Sequence, residues 1–461
     1  MAACAVQQRE AFQASGVCER AEWRPNEQPW EASVNALPGT SWRERSSFLR
    51  KVWGKLRRIA QPASWLTKAG PADRLHDAHV RNLLSRYPAG EFKPISSETP
   101  AKADVRLVAY YLPQFHPTAE NDEWWGKGFT EWRNVARAFP VFEGHYQPRM
   151  PGELGYYDLR LPDVMSRQVE LAKLYGISAF CFHFYWFGGR RLLEGPLDHY
   201  LATADLDLPF CLCWANETWS RRWSGREQDV LLAQRHSPED DIAVIGGLDK
   251  YFRDPRYLTI DGKPVFTVYR ASLFPDMKAT IARWRAEMTR LGYPGIYLIA
   301  TNAFDFTGHG EVGFDALSEF PPHGIRTPNV EGGMAVAPIK TGGRIRRYSD
   351  VVAAEKAKRS GSDVVHPGVM PSWDNSARQP TSAQIYDGAT PALFEEWLGH
   401  AMRRAQANPE AERMVFINAW NEWGEGAYLE PDLRYGYAYL SACADAIRTY
   451  SEQSKSRDIA T

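Results

Sequence analysis

The chain reads as a (β/α)8 barrel, a TIM-type ring of eight parallel strands alternating with helices, preceded by an N-terminal, partly helical extension. Three observations predict it. Short, continuously apolar runs recur from residue 105 to the end, segments of helical periodicity separate them, and the runs number eight. Continuous apolarity marks strands buried on both faces, as in a parallel sheet, and eight such repeats point to closure. The 461 residues exceed the roughly 250 that a barrel takes, which sets residues 1–104 apart from a barrel over 105–461.

In order, the runs are RLVAYYLPQFHP from Arg106, ISAFCFHFYWF from Ile177, PFCLCWANETW from Pro209, PVFTVYRA from Pro264, GIYLIATNAF from Gly295, FDALSEF from Phe314, HPGVMPSWDN from His366 and MVFINAWNEW from Met414. Helices are predicted over 161–175, 276–291, 349–360, 391–408 and 435–450. The fifth connection, 305–313, is short for a helix, and Ser318 and Glu319 interrupt the sixth run. An open doubly wound sheet is the competing arrangement, but it would carry a Gly-rich phosphate turn after an early strand, and none is present.

Residues 1–104 mix Pro, Arg, Glu and Ser without strand alternation, and 93–104 resembles a linker. Within it Leu49, Val52, Trp53, Leu56 and Ile59 recur at helical spacing, while Arg43, Arg45, Arg50, Lys51, Lys55, Arg57 and Arg58 surround one acid, Glu44. That is a basic amphipathic helix. It either docks its apolar stripe on the barrel, as such helices usually do, or lets Arg43–Arg58 touch an anionic membrane surface.

With 55 basic and 56 acidic residues the formal charge is -1, which lacks the basic excess that nucleic-acid phosphates require. The six cysteines form no CxxC pair, and His116, His145, His183 and His323 have no metal-ligand spacing, so neither metal nor cofactor is expected. No secretory leader and no ~18-residue apolar stretch occurs. The expectation is a cytoplasmic protein, peripheral to the inner membrane if the basic helix anchors it.

A barrel places its chemistry at the carboxyl ends of its strands. Those ends supply Gln114 and His116; His183, Tyr185 and Trp186; Trp214, Asn216, Glu217 and Trp219; Tyr269 and Arg270; Asn302, Glu319 and His323; and Trp373, Asp374 and Asn375. Such aromatic and polar mixtures suit sugar rings, whose C–H faces pack on aromatics while hydroxyls need hydrogen bonds. About half of the 17 tryptophans should instead fill the core. In the last run, alternation puts Phe416, Asn418, Trp420 and Glu422 on one face, followed by Trp423, Gly424 and Glu425. Two carboxyls in one pocket are what glycosidic chemistry needs, one to protonate the leaving oxygen and one to stay ionised. Locally, NEWGE also reads as a helix start whose acids favour the dipole.

The strings AYYLPQFHP, WWGKGFTEW (with Trp125), FYWFGG, WANETW and NAWNEWGEGAYLEPD resemble the WbsX-type group of bacterial surface-polysaccharide proteins, which is similar to glycoside hydrolase family 99. The likeness runs from about Arg106 to Leu440. It implies a (β/α)8 barrel and endo-acting cleavage of α-mannosides with retained configuration, through participation of the sugar 2-hydroxyl. NEWGEG, followed by Glu430-Pro431, matches the family's NEWHEG and EP segments, which implies that Glu422 is the base and Glu425 the acid. Gly424 stands where family 99 has His, which puts mannose specificity in doubt. SWDN, with Arg378 beyond it, is loosely similar to a substrate-binding loop and nominates Asp374. Glu217 has no counterpart there; it binds a hydroxyl or partners Arg221 or Arg222. Two other functions stay open: a glycosyltransferase of lipopolysaccharide or capsule assembly, and a catalytically silent glycan-binding barrel.

Overall fold

The computed structural model describes residues 90–460 except 101, 143, 222–225, 331–342 and 362. The chain divides into Met1–Lys68 and Ala69–Thr461. The basic helix around Arg43–Arg58 and Cys4 and Cys18 lie outside the described residues.

Eight strands form one parallel ring. β1 (Arg106–Tyr111), β2 (Ala179–Phe187), β3 (Phe210–Trp214), β4 (Lys263–Val268), β5 (Tyr297–Thr301) and β6 (Ala316–Ser318) pair each with the next. β7 is split by Pro367: Val365–His366 pairs with β6, and Gly368–Val369 pairs with β8 (Met414–Ile417). Proline has no N–H to give, so it serves through its carbonyl, which accepts from Phe416 N at 2.9 Å. β8 then pairs with β1, Arg106 opposite Met414, and the ring is closed. At the β6–β7 crossing the backbones approach so closely that a Cβ on Gly368 would lie 2.2 Å from the Glu319 carbonyl oxygen, a position only glycine fills.

A helix follows each strand: α1 (Pro162–Leu174), α2 (Gly195–Ala202), α3 (Pro238–Phe252), α4 (Met277–Arg290), the single turn α5 (His309–Val312), α6 (Tyr348–Ala357), α7 (Pro391–Ala405) and α8 (Ala438–Ala460). Ser237, Asp276 and Thr390 each accept a backbone N–H three residues on, starting α3, α4 and α7. The core lies between strands and helices, with Trp284 and Trp397 wholly buried in it. Among the described residues no helix is long and apolar enough to cross a membrane.

Two contacts add to the sequence reading. The segment that resembles a linker, 93–104, begins with Lys93 paired by backbone to the 435–437 segment, N–H to Tyr435 O at 3.1 Å and O from Tyr437 N at 2.9 Å. Glu319 turns away from the ring opening and forks with Arg404 at 2.9 Å, with Lys358 at 3.2 Å, tying β6 to the helix layer.

Candidate active site

The segment that follows β8 folds back on itself. Asn421–Glu422 pairs antiparallel with Ala427–Tyr428, and a 3-10 turn, Trp423–Glu425, joins them. Gly426 closes that turn at φ 63°, a left-handed conformation that suits glycine. Beneath it the Trp423 ring stacks on Tyr428 with centroids 3.7 Å apart. Glu430, fully buried, accepts from Trp423 Nε1 at 2.6 Å, Gln168 Nε2 at 2.6 Å and Tyr157 Oη at 3.0 Å. Burial nevertheless pushes the Glu430 carboxyl up to about 7.

So anchored, the turn presents Glu422 and Glu425 to a cavity of about 500 Å³ at the carboxyl ends of the strands. Arg378 joins them: Nη2 meets Glu422 Oε1 at 2.7 Å, Nη1 meets Glu425 Oε1 at 2.8 Å and Nε donates to Glu131 Oε1 at 2.8 Å. Three carboxylates thus share one guanidinium. Burial raises the Glu422 carboxyl to about 8, with Arg378 opposing and Glu425 and Glu131 adding to the rise. Burial raises Glu425 as well, with Arg378 again opposing. One cation does not balance three buried anions, so near neutral pH a proton stays on the Glu422–Glu425 pair, and burial favours Glu422 as its holder.

The other walls come from every side of the ring. His183 and Tyr185 line the cavity from β2, Glu217 from beyond β3, Tyr269 from beyond β4, and Trp373 and Asn418 from beyond β7 and β8. Burial, and then Arg378, lower His183 to about 4, so its ring is neutral. His183 Nδ1, Trp373 Nε1 and Glu422 Oε2 find no hydrogen-bond partner among the described residues, although buried polar atoms normally have one. Across the cavity Phe304 is 44% exposed and has φ 58°, unusual for a bulky residue. The Arg270 guanidinium lies 3.8 Å from its ring centroid and pairs with Glu217 at 2.7 Å, so the partner of Glu217 is Arg270.

Of the residues nominated from sequence, Gln114, Trp125, His183, Tyr185, Glu217, Trp219, Tyr269, His323, Trp373, Asn375, Asn418, Glu422 and Glu425 share this cavity. The others lie behind it. Trp214 is wholly buried, donating to the Trp186 carbonyl at 3.3 Å and packing on Trp284. Trp420 packs on Phe180 in the core, because the chain leaves β8 at Ile417 and strict alternation ends there. Asn216 braces the backbone of Arg270 with both side-chain atoms, at 2.8 and 2.9 Å. His116 is buried beside Gly195, and Trp423 and Glu430 form the support described above. Asp374 accepts from His145 and Gln147, both at 2.7 Å; despite burial, His145 and Arg149 hold its carboxyl well below the usual range. It therefore fixes the loop that carries Trp373, Asn375 and Arg378. Sequence reasoning passed over Glu131, and Arg378 only as a neighbour of that loop, although both sit in quoted or adjoining motifs.

The sequence model of one family, described as Glycosyltransferase WbsX, matches residues 107–443. A protein described as "Uncharacterized protein WxcX" from Xanthomonas campestris pv. campestris is 46% identical over 363 residues, 78% of this chain and 51% of its own length. The chain thus spans about half the length of the curated relatives it matches. Among solved structures, a GH99 endo-alpha-mannosidase from Bacteroides thetaiotaomicron superposes with a TM-score of 0.45 at 14% identity, covering 77% of this chain and 100% of that one. A "Glycoside hydrolase-like protein" gives 0.47 at 16%, covering 82% and 99%. The fold stands on the closed ring of strand pairings above.

Proposed function

We propose, since this chain belongs to the WbsX glycosyltransferase family, that it is a carbohydrate-active enzyme which cleaves a glycosidic bond in a bacterial surface polysaccharide. One observation carries this reading: Glu422 and Glu425 face one cavity and share one guanidinium. That is the equipment for protonating a leaving oxygen beside an ionised partner.

In the mechanism that the motif resemblance implies, Glu422 takes the proton of the sugar 2-hydroxyl, whose oxygen attacks the anomeric carbon. Glu425 gives its proton to the departing oxygen as the glycosidic bond breaks, leaving a 1,2-anhydro sugar. Glu425 then takes a proton from water, which opens that ring, and Glu422 returns its own. Burial favours the proton on Glu422, the reverse of the starting arrangement this sequence needs. Substrate entry must therefore move the proton within the pair. A neutral His183 and Tyr185 beside them supply hydrogen bonds without adding charge.

The family's description favours a second reading, transfer from a nucleotide sugar. The cavity weighs against it, because Arg270 and Arg378 are already engaged by Glu217 and by Glu422 and Glu425 rather than left to meet a diphosphate. The DxD sequence at Asp205–Asp207 precedes β3, away from the cavity, and Asp207 pairs with Lys173 on α1 at 2.6 Å.

Purified protein given polysaccharide from its own source should release oligosaccharide with new reducing ends, and Glu425→Gln should abolish the release while leaving the fold intact. Consumption of a nucleotide sugar without such release would replace hydrolysis by transfer.

A further inference from the structure

Glu131 takes no part in the mechanism above, yet it is wholly buried against Arg378. It belongs to the WWGKGFTEW segment, 247 residues from its partner, Arg378. Its Oε1 accepts from Arg378 Nε at 2.8 Å and lies 3.3 Å from Asn134 Nδ2. Its Oε2 has no hydrogen-bond partner among the described residues. A buried carboxylate half satisfied in this way is costly, so its place calls for a return.

The return is visible in the orientation of Arg378. A guanidinium is a planar fork, and gripping Nε from one side determines where its two terminal nitrogens point. Here they point one to Glu422 and one to Glu425.

The residue between those acids is shaped by the same contact. Gly424 has no positive φ, so backbone freedom does not explain it. A Cβ there would lie 2.0 Å from Glu131 Oε1 and 2.9 Å from Arg378 Nε. Gly424 is glycine because Glu131 and Arg378 fill the space a side chain would take.

We propose that Glu131 is the positioning residue of this site: by holding Nε of Arg378 against Gly424 it aims one terminal nitrogen at each of Glu422 and Glu425. Its catalytic consequence rests on the glycosidase reading; its electrostatic consequence does not. The groups that act on the pair are Arg378, Glu131 and Tyr185, with Glu217 and Tyr269 beside Glu425 and His183 beside Arg378. Of these, Glu131 is a second negative charge that both rim carboxyls meet through their shared cation.

The test is a 13C NMR titration of the full chain labelled at glutamate carboxyls, with Glu422 and Glu425 assigned through Glu422→Gln and Glu425→Gln. Glu131→Gln removes the charge and keeps the shape. It should lower both titrations by about one pH unit with an unchanged thermal midpoint. Gly424→Ala keeps the charge but forces Glu131 off Arg378, and it should also move both titrations. A folded Glu131→Gln whose carboxyls titrate as in the wild type overturns the proposal; if that variant does not fold, an unmoved titration in Gly424→Ala does so. A failed oligosaccharide-release assay would remove the hydrolytic reading and leave this result standing.

Discussion

The indole N–H of Trp423 donates to Glu430 at 2.6 Å, so the first of the two residues between the rim acids is pinned to a buried carboxyl beneath them. Glu430 titrates near 7 in the folded chain against a usual 4.5, because burial disfavours its charge. The unfolded chain therefore releases the proton first as pH rises. The stability Glu430 contributes is full below about pH 4.5 and is lost as pH rises through about 7, by up to about 3 kcal/mol. Urea unfolding across this range should show that decline in the wild type and a shallower one in Glu430→Gln. Equal slopes would show that the carboxyl is already ionised in the folded protein.

The two rim acids should differ in how they depend on the leaving group. With aryl glycosides of the cleaved sugar, Glu425→Gln should recover the bond-breaking step, read as an initial burst of phenol, when the leaving phenol is acidic, since such a group needs no proton. Its steady turnover should stay slow for want of the base that activates water. Glu422→Gln should stay about 10²–10⁴-fold impaired throughout. The opposite pattern would exchange their roles and agree with the preference that burial gives the proton for Glu422.

Because the reaction uses one proton on the pair, kcat/KM in the wild type should fall as pH rises above about 8, the value to which burial raises Glu422. Initial rates across neutral and alkaline pH check this directly. A flat profile there would mean that neither carboxyl supplies the proton.

Arg378 is the cation that lets three acids share a buried space. Arg378→Met should cost about 3–5 kcal/mol at neutral pH by leaving them uncompensated, and much less near pH 5, where Glu422 and Glu425, both raised by burial, hold protons. Arg378→Lys should rescue little, since an ammonium lacks the fork that meets Glu131, Glu422 and Glu425 at once. Urea denaturation of both variants at the two pH values measures this.

Phe304 offers an exposed ring on the cavity wall, backed by Arg270 at 3.8 Å. If a sugar stacks there, Phe304→Ala should raise KM about tenfold and leave kcat alone. A fall in kcat at constant KM would place the ring nearer the reacting bond.

Much of the barrel was legible because burial on both faces writes itself into a strand as continuous apolarity. The helix Pro238–Phe252 was overlooked, although Ser237, Pro238 and three acids in its first turn announce a start. The break at Pro367 was hidden because a proline in a strand does not reveal which neighbour each half will pair with. At the site, Glu422 and Glu425 stood out because they are close in sequence. Trp214 and Trp420 were nominated for the cavity because position after an apolar run does not tell which way a ring turns. Glu131 was invisible for a plainer reason: its partner lies 247 residues away, and one sequence carries no trace of such a meeting.

The clash between a side chain at position 424 and the carboxylate of Glu131 also constrains descent. A chain bearing a side chain at 424 could not adopt this arrangement of Glu131 and Arg378. Nor could this chain accept one there while Glu131 stays in place. Substitutions at the two positions should therefore be non-additive, and the order in which they arrive would decide which intermediates survive.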